Sequence, residues 1–157
     1  MIGMSKIVKT IANIGFPIIT IYGLYVIAHG HLTPGGGFQG GAIVASGLAL
    51  LLVAYGSAWL MKKIKESHLS MFESIGALSF IGLAFLGLLF GSVFFSNFLV
   101  GTDFLFGAIP TGGAANINTG GVLPLMNFAV GLKVIAGLFA IILVMAHATT
   151  DHKEECA

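Results

Sequence analysis

Arginine is absent from this chain, cysteine occurs once, at position 156, and charged residues make up only 8% of its 157 positions. A lone cysteine excludes an internal disulfide. The scarcity of charge excludes an ordinary soluble domain, in which about a quarter of the residues are charged. The seven basic residues, all lysines, and the six acids leave a net charge of +1. That balance supplies no basic surface for nucleic acid. What the chain has instead is apolar bulk, 57% of its residues, with a mean hydropathy of +1.01 and 23 glycines.

The apolar bulk falls into four segments, 11–28, 40–61, 73–99 and 123–147. Each can cross a bilayer, which takes about 20 residues of helix. The expected fold is an all-α membrane protein, one integral domain over 1–157. The first segment lacks a small-residue cleavage site and is expected to be a retained span rather than a signal peptide.

The lysines set the expected orientation. Lys6 and Lys9 precede the first span, Lys62, Lys63 and Lys65 lie between the second and third, and Lys153 follows the fourth. The connections 29–39 and 100–122 contain no lysine. The bias of lysine toward the inner face of a membrane then predicts cytoplasmic termini and two outer, glycine-rich connections.

The first outer connection carries the string HGHLTPGGGFQGG, residues 29–41. It is not a phosphate loop, because no Gly-Lys-Ser/Thr opens the following helix and no strand precedes it. His29 and His31 alone, with no cysteine or carboxylate close by, make a poor metal site, so no metal is expected. Pro34 stops the first span and Gly35, Gly36 and Gly37 allow a tight turn before Phe38 and Gln39. Gly36/Gly40, Gly37/Gly41 and Gly87/Gly91 have the small-xxx-small spacing of close helix contacts. The longer connection, 100–122, reads either as a surface loop or as a re-entrant segment dipping through Phe104, Leu105 and Phe106.

Four side chains are candidates for an ion path. Lys133 sits ten residues into the last span, about 15 Å deep at 1.5 Å per residue. Its stem can cover only part of that distance to the headgroups, and a charge at such depth marks function. None of the six acids falls in the expected interior of a span. Lys133 is therefore uncharged, hydrated, paired with another subunit, or a structural residue bonding carbonyls at a subunit contact. Glu73 reads mainly as the end of a capping box, Ser70-Met71-Phe72-Glu73, opening the third span, and secondarily as a proton acceptor at the cytoplasmic mouth. His147 reads as a cation favoured by the last turn of the fourth helix. His31 is a polar group at a span terminus, of a type that exchanges protons near neutrality.

Residues Gly30-His31-Leu32-Thr33-Pro34-Gly35-Gly36-Gly37-Phe38-Gln39-Gly40-Gly41 resemble the G-H-x-x-P-G-G-G-F-x-G-G signature of the B subunit of Mrp (Mnh) multisubunit sodium/proton antiporters. The stretch LMNFAVGLKV, 125–134, is similar to the last span of that family, which also carries a lysine. The resemblance implies a small integral subunit in the plasma membrane of a prokaryote, with other antiporter-module subunits as partners and Na+ and H+ as transported ions. It also extends to antiporter modules inside membrane-bound hydrogenases and sulfur reductases. In such a host the redox chemistry belongs to NiFe or iron–sulfur partner subunits, since this chain has no ligand set for a cofactor. The alternative to ion handling is a structural subunit that holds such a complex together.

Overall fold

A computed structural model describes residues 4–64, 66–91, 93–101 and 120–155. The order is α1 (Lys6–His29), α2 (Gly37–Tyr55), a short α3 (Ser57–Lys63), α4 (Glu66–Gly91), a 3-10 turn (Phe98–Gly101) and α5 (Leu123–Glu155). Among the described residues there is no strand. Among these residues four helices are long and apolar enough to cross a membrane: α1, α2, 67–91 of α4 and 123–149 of α5. The all-α, four-span expectation holds.

The helices form a row. α1 packs on α2, α2 on α5, and α5 on α4, with a shorter contact between α1 and α5. Glycines set the spacing in this row, because without a hydrophobic drive between helices in lipid, association depends on close backbone approach. Where α1 crosses α2, a Cβ on Gly23 would meet the Gly40 carbonyl at 2.9 Å, and one on Gly40 would meet the Gly23 carbonyl at 2.6 Å. On the next face of α2, Gly41 lies against the carbonyl of Gly131 and the side chain of Val134 in α5. Gly37, one turn earlier, approaches the Asn127 carbonyl. The Gly37/Gly41 spacing thus does serve a helix contact. Gly36 lies just outside the helix, as its N-cap, with φ 116°, where a side chain is strained.

At the end of the row that carries α3, Leu52, Leu60, Leu69, Phe139 and Leu143 close into the main apolar cluster. The second span does not run on to 61. Gly56, at φ 89°, ends α2 and starts α3, which turns Leu60 into that cluster. Two cations cover aromatic rings here, Lys9 over Tyr55 and Lys63 over Trp59, and the two rings stack at 4.5 Å.

The third span also differs from its expected bounds. It starts at Glu66 rather than 73 and stops at Gly91 rather than 99. Beyond it the chain folds back across the last turns of α4. Phe95, at φ 62°, donates its N–H to the Ala84 carbonyl at 3.5 Å, and its ring sits 5.7 Å from that of Phe80. Gly87 and Gly91 make room for this return: a Cβ on Gly87 would meet the Ser96 nitrogen at 2.8 Å, and Gly91 faces the Ser96 side chain. Their spacing therefore admits a returning stretch of the same chain rather than a second helix. The expected re-entrant residues Phe104, Leu105 and Phe106 lie outside the described residues. The return is fixed at its far end by Asn97, which donates to the Gly120 carbonyl at 3.1 Å and accepts from the Val122 N–H at 2.8 Å, at the mouth of α5.

Candidate ion-handling site

α4 and α5 run antiparallel and meet at a glycine from each. Gly76 is buried against α5, where a Cβ would stand 2.8 Å from the Ala129 carbonyl and 3.0 Å from the Lys133 Cβ. One turn along, the relationship inverts: the carboxylate of Glu73 in α4 lies over Gly137 in α5, with both oxygens 3.6–3.9 Å from where its Cβ would be. Each helix thus presents one charged residue and one glycine a turn apart, and each charged residue packs over the other helix's glycine. Gly137 is four residues from Lys133, so the two charged side chains leave the seam about 6 Å apart in height.

This geometry corrects two readings of Glu73. Because α4 begins at Glu66, Ser70 and Glu73 lie inside the helix, and no capping box forms there. The hydroxyl of Ser74 donates to the Ser70 carbonyl, as in a helix interior. Glu73 also stands six residues inside the membrane-length stretch 67–91, about 9 Å from its end. An acid is therefore present in a span after all, half-buried and one turn from the lysine.

Lys133 itself is exposed on the surface of the chain, at the mouth of a cleft of about 290 Å³ between α4 and α5. Gly76, Ala77, Phe80, Ile81 and Val130 form the rest of that cleft. The opposite flank of the same helix pair holds a larger groove, about 610 Å³, whose lining includes Ser79, Leu83, Phe128 and Leu132 and no charged residue.

The histidines are not at this seam. His31 lies at the glycine-rich end, in the turn between α1 and α2, with its ring against Gly120 before α5. Both of its ring nitrogens are buried without a hydrogen-bond partner among the described residues. His29 stacks on Tyr25 at 4.6 Å, and its carbonyl accepts the N–H groups of Leu32 and Thr33. Gly30 and Gly36, on either side of His31, pack on the Asn127 amide. Pro34, Gly35, Phe38 and Gln39 are exposed, so the motif's buried half is Gly36, Gly37, Gly40 and Gly41. His147 is not in a last turn, because α5 continues to Glu155, and the helix-end rationale for a cation at 147 falls with it. Among the described residues no three His, Cys, Asp or Glu converge as metal ligands.

Sequence reasoning gives no role to Gly76, Gly137, Asn97 or Asn127. The first two carry a readable signal. Glu73/Gly76 and Lys133/Gly137 have the i,i+3 and i,i+4 spacings that put residues on one helix face.

The fold and seam define a class, a multi-pass helical membrane protein with an acid and a base inside its membrane-length helices. Residues 7–140 match the family described as a domain related to the MnhB subunit of Na+/H+ antiporter, and the chain belongs to that family. A protein of Methanocaldococcus jannaschii with no characterised function is 35% identical over 142 residues, 87% of this chain and 51% of that protein. The B subunit of a Na(+)/H(+) antiporter from Bacillus subtilis is 43% identical over 49 residues, 31% of this chain and 34% of that protein. A putative antiporter subunit mnhB2 of Staphylococcus aureus is 29% identical over 92 residues, 59% of this chain and 64% of that protein. The chain thus matches about half the length of the archaeal relative, and less than two thirds of the other two.

Proposed function

We propose that this chain is a membrane subunit of a multisubunit cation/proton antiporter and that it contributes the Glu73–Lys133 seam to the ion-translocation path. The family match supports the first part. The observation that carries the second is that an acid and a base stand one helical turn apart on the contact between two apolar helices. Charge at such depth is costly unless it serves the protein, which is why intramembrane acids and bases mark proton relays. In this reading Lys133 holds a positive charge beside the path, Glu73 exchanges protons with the lysine-rich side, and His31 stands at the glycine-rich mouth. The protein sits in the plasma membrane of a prokaryote with both termini cytoplasmic. The host is either a stand-alone sodium/proton antiporter or a hydrogenase-type redox complex, and neither needs a cofactor in this chain.

The experiment is antiport in everted membrane vesicles from cells lacking this chain, resupplied with wild type or Glu73→Gln. Wild type restores sodium-driven collapse of the pH gradient and Glu73→Gln, assembled to the same level, does not. Full antiport with Glu73→Gln would reduce the chain to an assembly subunit. Mass spectrometry of the co-purifying subunits separates the two hosts: antiporter subunits alone in one case, NiFe or iron–sulfur subunits as well in the other.

A further inference from the structure

We infer that the cleft around Lys133 is a docking surface for a transmembrane helix of another subunit, and that this helix carries an aspartate or glutamate level with Lys133. The inference rests on the membrane placement proposed for this chain and names the partner for the same seam. Lys133 is exposed although it lies about 15 Å inside a membrane-length helix. Lipid tails cannot solvate an ammonium at that depth, and the stem is too short to lift it to the headgroups. Glu73 does not serve as its partner: it packs over Gly137, and no ion pair within 4.0 Å joins the two among the described residues.

The shape of the surface agrees with a helix as the occupant. α4 is the end of the helix row, packed on α5 and on its own return segment, so the flank bearing Ala77 and Ile81 has no other helix upon it among the described residues. Gly76 and Ala77 keep the cleft floor low enough for close approach, as small residues do at membrane helix contacts. A second copy of this chain fits poorly, because a two-fold contact here would set two Lys133 ammoniums against each other. Charge complementarity selects an acid.

The test is a photo-crosslinking residue placed at Ile81, in the cleft, with Leu89 as control, in the intact complex in native membranes. Leu89 is 77% exposed and lies outside the cleft. The expected product at Ile81 is a link to a different subunit, in a membrane-spanning peptide with an Asp or Glu within about one turn of the linked residue. Substituting that acid by its amide, or Lys133 by Met, lowers the crosslink yield about tenfold or more, since a buried pair that loses one partner is strongly destabilised. Products only with lipid, with a second copy, with this chain's own residues 102–119, or with a helix lacking an acid would overturn the inference. The outcome is independent of transport. An acidic partner with unimpaired antiport in Lys133→Met contradicts the ion-path reading alone, and lost antiport without an acidic partner contradicts the docking alone.

Discussion

The carboxylate of Glu73 lies over Gly137, one turn along α5 from Lys133, while Lys133 covers Gly76 in return. This reciprocal packing lets two charged residues share one helix contact without a bulky side chain between the backbones. Substitutions at the glycines should therefore act on the charged groups through distance alone.

Gly76→Ala puts a methyl group 2.8 Å from the Ala129 carbonyl, against backbone that cannot swing away. Overpacking of this kind costs about 1–3 kcal/mol. Gly82→Ala, six residues further along the same helix, meets nothing within 4 Å and gains about 0.5–1 kcal/mol from helix propensity. Thermal unfolding of the purified complex in detergent should show opposite shifts of the transition for the two variants. Equal shifts would mean that the α4–α5 contact is looser than these distances require.

Asn97→Leu removes both the donor to the Gly120 carbonyl and the acceptor for the Val122 N–H. A buried polar group left unpaired costs about 1–3 kcal/mol. Hydrogen exchange at the start of α5 should rise in this variant while exchange in α1 stays unchanged. Unaltered exchange at 120–124 would show that the return segment is held by something other than Asn97.

Most of the architecture is legible in the sequence because hydropathy reports helices of membrane length directly. The exceptions have physical causes. Apolar residues continue past Gly56 and Gly91, where the backbone turns, and hydropathy is blind to φ, so it carries the spans on to 61 and 99. The capping-box pattern at Glu73 matches in composition but lies inside a helix already begun at Glu66. Lys133 is visible because a lone charge in an apolar run stands out. The seam joining it to Glu73 is not, since it depends on which faces of α4 and α5 meet, and neither helix shows a polar stripe to announce that.

The orientation has its own reporter. Cys156 is the chain's single cysteine and follows the last span. A membrane-impermeant maleimide should modify it in everted vesicles and leave it unmodified in intact cells, whereas a cysteine introduced at the exposed Thr33, in a Cys156→Ser background, should show the reverse. Labelling of Cys156 in intact cells would invert the topology argued from the lysines.

That the seam handles ions is tested most directly by antiport in everted vesicles carrying Lys133→Met. The measurement is normalised to the amount of complex that native electrophoresis shows to be assembled. Methionine keeps the stem and removes the charge. Sodium-driven proton exchange should be abolished or fall at least about tenfold, since removing an intramembrane charge alters the path by more than the roughly 1.4 kcal/mol that a factor of ten represents. Antiport at the wild-type rate in the assembled Lys133→Met complex would contradict an ion-handling seam.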